Sequence, residues 1–306
     1  RIAESLFWIG RYIERSDGTA RILDVHLQLL LEDPWIDEDT ACRGVISVMG
    51  SEPNDDVALG REDVLALLAV DPTQPASIAH SIASARENAR RAREIVSTEL
   101  WETLNQTNAR MPRRIAPDKT HEFFRWVRDR AALAVGVVDS ATSRDEAWHF
   151  LTLGRSIERA DMTARLLATR ALTEDSGPSW TTILRSCGGY EAYLRSYRGV
   201  PSTQSAAEFL LLDRLFPRSI IASVIRAEES LREIDPRAGR VGVTDQAQRL
   251  LGQIRSEFEY RPIAEILTDL TGHMEHVQEV VSGASEAIRQ RYFPASVAPV
   301  WIGEVS

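Results

Sequence analysis

The sequence predicts an all-α protein of about ten helices, built as two similar halves. Three observations carry this. Apolar residues recur at three- and four-residue spacing over most of the chain, beginning with Leu6, Ile9, Ile13, Ala20, Leu23, Leu27 and Leu30. No convincing strand pattern interrupts them. The segment Gly10-Arg11-Tyr12-Ile13-Glu14-Arg15-Ser16-Asp17-Gly18-Thr19-Ala20-Arg21-Ile22-Leu23 recurs without a gap as Gly154-Arg155-Ser156-Ile157-Glu158-Arg159-Ala160-Asp161-Met162-Thr163-Ala164-Arg165-Leu166-Leu167. Two helices can share an apolar pattern by chance. Here half of the recurring residues are charged, so one contact or site is built twice.

Taken in order, residues 2–31 read as one long helix ended by Pro34. Gly10 and Gly18 lie inside it, each costing about 1 kcal/mol against alanine. That cost implies close approach by another backbone. A helix over 37–49 and a Pro-, Asn- and Asp-rich loop over 51–60 follow. A short apolar helix covers 61–70. Pro75 suits the first turn of the next helix, which runs to about Asn108. Residues 111–117 form a basic connection, and 118–141 are helical again. Ser143 and Glu146 form a capping box that opens the helix carrying the second motif.

Beyond it the first half recurs in outline. Trp35 and Cys42 correspond to Trp180 and Cys187. Asp71, Pro75, Ser77 and Ile78 correspond to Asp213, Pro217, Ser219 and Ile220. Gly188-Gly189 interrupts a helix, and no Lys-Ser/Thr follows to make it a phosphate loop. Ser205 and Glu208 form another capping box. Residues 236–242 form a loop, and helices cover 244–256 and 260–292. An extended tail, 293–306, closes the chain. The repeats are about 1–145 and 146–292, joined by a junction too short and too well capped for a free linker. They are expected to share one core about a pseudo-twofold axis.

Composition narrows the function. The chain has 306 residues and a net charge of −9, which argues against a general nucleic-acid binder. No run of about 18 apolar residues predicts a membrane span. The first residues, Arg1 to Leu6, have neither a starting Met nor a signal-like apolar region. Two isolated cysteines, Cys42 and Cys187, make no disulfide framework or thiolate zinc site, which fits a reducing cytoplasm. The Glu146–His149 spacing suits a di-metal bundle, but no second Glu-x-x-His exists, so neither metal nor cofactor is expected.

The charged residues fall on one helical stripe. Asp17 and Arg21, like Asp161 and Arg165, are four apart with the acid first, the favourable order. If the two motif helices pack at Gly10 and Gly154, Glu14 meets Arg155 or Arg159, and Glu158 meets Arg11 or Arg15. Such a self-complementary cluster fixes helix register as buried ion pairs can. Its arginines also suit a carboxylate or phosphate, because the guanidinium fork binds both. Four central arginines, Arg11, Arg15, Arg155 and Arg159, face two glutamates. That excess predicts either an anion-binding cleft or an added acid, with Glu4 and Glu146 as candidates.

The start, Ala3-Glu4-Ser5-Leu6-Phe7-Trp8-Ile9-Gly10-Arg11-Tyr12-Ile13-Glu14-Arg15, with the second Gly-Arg-x-Ile-Glu-Arg, resembles the bacterial alpha-E family. Arg86-Glu87-Asn88-Ala89-Arg90 and Glu99-Leu100-Trp101-Glu102 are similar to its mid-chain segments. Ser16 departs from the family's usual Ala, and Gly18 and His149 are atypical. The resemblance implies an all-helical domain named for its Glu-Arg motif. It further implies a circularly permuted ATP-grasp protein as partner, often accompanied by transglutaminase-like or proteasome-like proteins. ATP-grasp enzymes form acyl-phosphates, so the resemblance implies an accessory protein of a peptide- or amide-forming system. The alternative is a ligase or transferase in its own right.

Overall fold

The apolar stripes that open the two halves become the two longest helices, and they lie against each other. The computed structural model describes residues 1–53, 56–171, 178–236 and 242–294. Along the chain run α1 (Ile2–Glu32), α2 (Glu38–Val48), α3 (Arg61–Leu65), α4 (Ile78–Arg91), α5 (Thr98–Ala109), α6 (Thr120–Ala141) and α7 (Glu146–Ala171). Then come α8 (Trp180–Ser186), α9 (Tyr190–Tyr197), α10 (Thr203–Leu212), α11 (Ile220–Ile234), α12 (Gln246–Tyr260), α13 (Ile263–Thr268) and α14 (Leu270–Tyr292). A π-turn follows α3, and a 3-10 turn precedes α6. There is no strand among the described residues.

The described residues hold fourteen helices rather than about ten, and polar residues cut two of the long patterns. The pattern over 75–108 breaks after α4, and Ser97 caps α5 by accepting from the Leu100 amide. The pattern over 260–292 breaks at Asp269, whose carboxylate accepts from the Gly272 amide and starts α14. Each cap satisfies amides that a continuous helix would bond internally. Three starts also shift. Pro75 stays in the turn before α4, which Ser77 caps. Asp145, not Ser143, accepts from the Trp148 amide at α7. Ser202, not Ser205, is the cap of α10, with Ser205 bonding back to it.

Helix α1 packs most extensively on α7. On its other flanks α1 meets α4 and α6, while α7 meets α11 and α14. The shorter α2 reaches across to α7, and α8 reaches across to α1. Both central helices are therefore enclosed, which explains why so many polar positions of α1 are buried. The buried apolar side chains form one contiguous cluster from Leu6 to Phe293. Phe293 closes one end of it, with ring centroids 5.7 Å from Phe7 and 5.6 Å from Phe150. It belongs to the core rather than to a tail, and residues 295–306 lie outside the described residues. Trp35 and Trp180 differ sharply, at 93% and 6% exposed, although their sequence positions correspond.

Candidate functional site

The site begins with two glycines. A Cβ on Gly10 would collide with the Leu151 carbonyl and lie 2.9 Å from the Arg155 amide nitrogen. A Cβ on Gly154 would collide with the Phe7 carbonyl and lie 3.2 Å from the Arg11 amide nitrogen. Only glycine lets the backbones of α1 and α7 come this close. Gly18, in contrast, has the Met162 side chain as its nearest neighbour. One helical turn beyond each close approach, a glutamate of one helix meets an arginine of the other.

These meetings are reciprocal. Arg159 grips Glu14 with two hydrogen bonds, Nε to Oε1 and Nη2 to Oε2, both at 2.7 Å. Arg15 grips Glu158 in the same way, at 2.6 and 3.1 Å. Both carboxylates are buried, Glu14 at 3% and Glu158 at 0% side-chain exposure. Burial alone would raise their pKa values. Arg11 and Arg15 outweigh it and hold the Glu158 carboxyl down at about 2. Arg159 and Arg218 do the same for Glu14, which lies far below the ordinary carboxylate range. Both carboxylates are thus firmly ionised acceptors.

A second layer ties the motif to the short helices. Arg21 bonds Asp17 at 2.9 Å and donates to the Ser186 carbonyl at the end of α8. Arg165 bonds Asp161 at 2.7 Å and donates to the Val48 carbonyl at the end of α2. Each arginine neutralises its acid and also satisfies a helix-terminal carbonyl, where a cation is favoured.

The remaining positions are not reciprocal. Arg11 donates Nε to Glu158 at 2.5 Å and Nη1 to Ser285 at 2.6 Å, with its guanidinium 5.3 Å from the Trp8 ring. Arg155, its counterpart, makes no hydrogen bond to Glu14. Its closest acid is Asp139, at 3.7 Å, and its buried Nε has no partner among the described residues. Arg218, which sequence reasoning missed, takes the vacant role. It lies 2.8 Å from Glu14 and 2.9 Å from Asp17. Burial and the neighbouring Arg159 lower the Arg155 pKa. A carboxylate already holding two guanidiniums gains little from a third. Neither Glu4 nor Glu146 forms an ion pair with the cluster among the described residues. Asp139 is the acid that approaches Arg155.

A cleft of about 510 Å³ borders one side of the cluster. Arg11, Arg15, Glu158, Asp161 and Arg165 line it from the helices, and the turns at 49–52 and 74–76 form its rim. Elsewhere the candidates are inert. Cys42 and Cys187 are buried, and burial pushes their thiols up to about 12 and about 11, away from a reactive thiolate. Glu146 is exposed, and no three metal-ligating side chains gather among the described residues. Among the described residues no helix is long and apolar enough to cross a membrane.

Comparison with known proteins adds a family and two groups of relatives. Residues 1–293 match Alpha-E, described as a predicted alpha-helical domain with a conserved ER motif. An uncharacterized protein of Mycobacterium bovis is 24% identical over 98% of this chain, as is one of Mycobacterium tuberculosis. The chain spans 38% of the length of each. No solved structure matches at a significant level.

Proposed function

This chain belongs to the Alpha-E family, and we propose that it is a partner-binding helical protein of an ATP-grasp-linked system that forms peptide or amide bonds. In this reading a circularly permuted ATP-grasp protein is its principal partner, and a transglutaminase-like protein can act beside them. The ER cluster braces the two motif helices, and the cleft beside it receives a ligand. We read the two halves as copies of one ancestral unit, supported by the reciprocal grips of Arg15 on Glu158 and Arg159 on Glu14.

One observation carries the accessory reading. Glu14 and Glu158 are gripped by arginines and held far below neutral pKa, so neither is a general base near pH 7. The buried thiols are likewise raised, so neither is a ready nucleophile. Relatives much longer than this chain fit a module that works with other domains. A second reading, a ligase or transferase acting on an acyl-phosphate or carboxylate, is favoured by the arginines lining the cleft.

Co-purification with a circularly permuted ATP-grasp protein, followed by ATP-dependent ligation with and without this chain, tests the proposal. The expected result is a complex, no ligation by this chain alone, and a rate that rises when both are present. Ligation by this chain alone would establish the second reading. No complex and no change in rate would defeat the accessory role.

A further inference from the structure

A second cavity lies at the far end of α1, and it shares no lining residue with the cleft beside the ER cluster. Leu27 and Leu31 stand four apart on one face of that helix, the spacing of a stripe that a neighbour should cover. Leu27 is buried, but Leu31 stays 70% exposed. Leu65 at the end of α3, Val70 just beyond it and Ile115 in the connection after α5 border the same space. The cavity measures about 430 Å³, within the range of small-molecule sites.

Two features distinguish this cavity from ordinary surface relief. Its helical wall is locally widened. The Asp71 amide bonds back to the Ala66 carbonyl, five residues away. At the corresponding place in the second half, the Asp213 amide bonds to the Phe209 carbonyl, four away, as in a regular helix. Such π-turns are frequent at functional sites, and Ala66 and Val70, the two ends of this one, both line the cavity. The second feature is a cationic rim. Arg61 is set against Glu38 at 3.4 Å, whereas the exposed Arg113 and Arg114 meet no acid among the described residues. Glu62 is the acid of the lining, so one positive charge is left over at the mouth.

We infer that this cavity binds an unbranched fatty monocarboxylate, its alkyl chain along Leu27, Leu31, Leu65 and Val70 and its carboxylate at Arg113 and Arg114. The apolar side chains offer a ligand no hydrogen bond. A tail rich in amides or hydroxyls would leave polar groups unpaired there, and a hydrocarbon tail would not. The Thr120 hydroxyl, also in the lining, already donates to the Pro117 carbonyl. At the mouth, a guanidinium offers paired donors that match a carboxylate, and one surplus positive charge balances one negative head. The inference does not depend on the partner-binding role proposed above, nor on what the ER cleft receives.

Calorimetric titration of the full chain with hexanoate, octanoate and decanoate, all below their micelle concentrations, tests the inference. Decanol and decylammonium serve as neutral and cationic controls. Each two added methylenes should tighten binding by about tenfold, and decanoate should bind about tenfold or more tightly than decanol. Replacing Arg113 and Arg114 together, Arg113→Glu with Arg114→Glu, should weaken decanoate by about tenfold or more and create binding of decylammonium. Leu31→Asp changes an exposed wall position, so the chain should still fold, and decanoate should weaken to a similar degree. An unchanged circular dichroism spectrum checks the fold of both variants. Absence of saturable decanoate binding would overturn the inference, as would a decanoate affinity unchanged in either folded variant. Tighter binding of decanol, or of an acetylated leucine peptide, than of decanoate would overturn it too.

Discussion

At the scale of single residues, the buried glutamates decide stability. Breaking a buried ion pair from one side leaves an unmatched charge and costs about 3–5 kcal/mol, against about 0–1 for an exposed pair. Glu158→Gln and Glu14→Gln should each lower the unfolding free energy by about 3–5 kcal/mol in urea titrations. The pH dependence has a definite sign. Folding depresses the Glu158 carboxyl from 4.5 to about 2. Its stabilisation is therefore complete above pH 4.5 and is lost as pH falls toward 2, a change on the order of 3 kcal/mol. Stability of the wild type should fall across that window, and Glu158→Gln should fall less steeply. Arg155 is the counter-case. Its Nε has no partner among the described residues and its pKa is lowered by burial. Arg155→Met should cost less than about 1 kcal/mol, while Arg15→Met should cost several, because it leaves Glu158 short of a partner. The motif pairings were legible in the sequence because both glutamates and all four arginines recur in register. Arg218, Ser285 and Asp139 were not, because nothing in their local sequence shows which helix folds over the motif. One signal did exist: Arg218 stands where the matching turn has Ala76.

At the scale of elements, the glycine crossing controls how α1 and α7 meet. Gly154→Ala would raise local helix propensity by about 1 kcal/mol, yet its methyl has no room against the Phe7 carbonyl. Backbone there is less able to give way than a flexible side chain. The net effect should be a loss of about 1–3 kcal/mol, as for other overpacked sites, seen as a lower melting temperature. Gly136→Ala, on α6 where the added Cβ meets nothing within 4 Å, should be neutral or stabilising. Element existence was legible from apolar periodicity, but element boundaries were less so. Ser97 and Asp269 divide what periodicity reads as single helices, because a side-chain cap competes locally with continuation. Asp145 and Ser202 displaced the expected caps for the same reason: several neighbouring residues could cap, and tertiary packing chose among them.

At the scale of the whole molecule, the crossed contacts tie the two halves together. Helix α2 of the first half packs on α7 of the second, and α8 packs on α1. Arg165 and Arg21 fasten those crossings at the Val48 and Ser186 carbonyls. Neither half can bury its motif helix without the other, so α1 and α7 form one cooperative unit held by the reciprocal Glu–Arg grips. Native-state hydrogen exchange on the wild type and on Glu158→Gln tests this most directly. Amides at the centres of α1 and α7 should share one opening free energy, and the substitution should lower both by the same amount, although Glu158 belongs only to α7. Loss of protection confined to α7, with α1 unchanged, would contradict it.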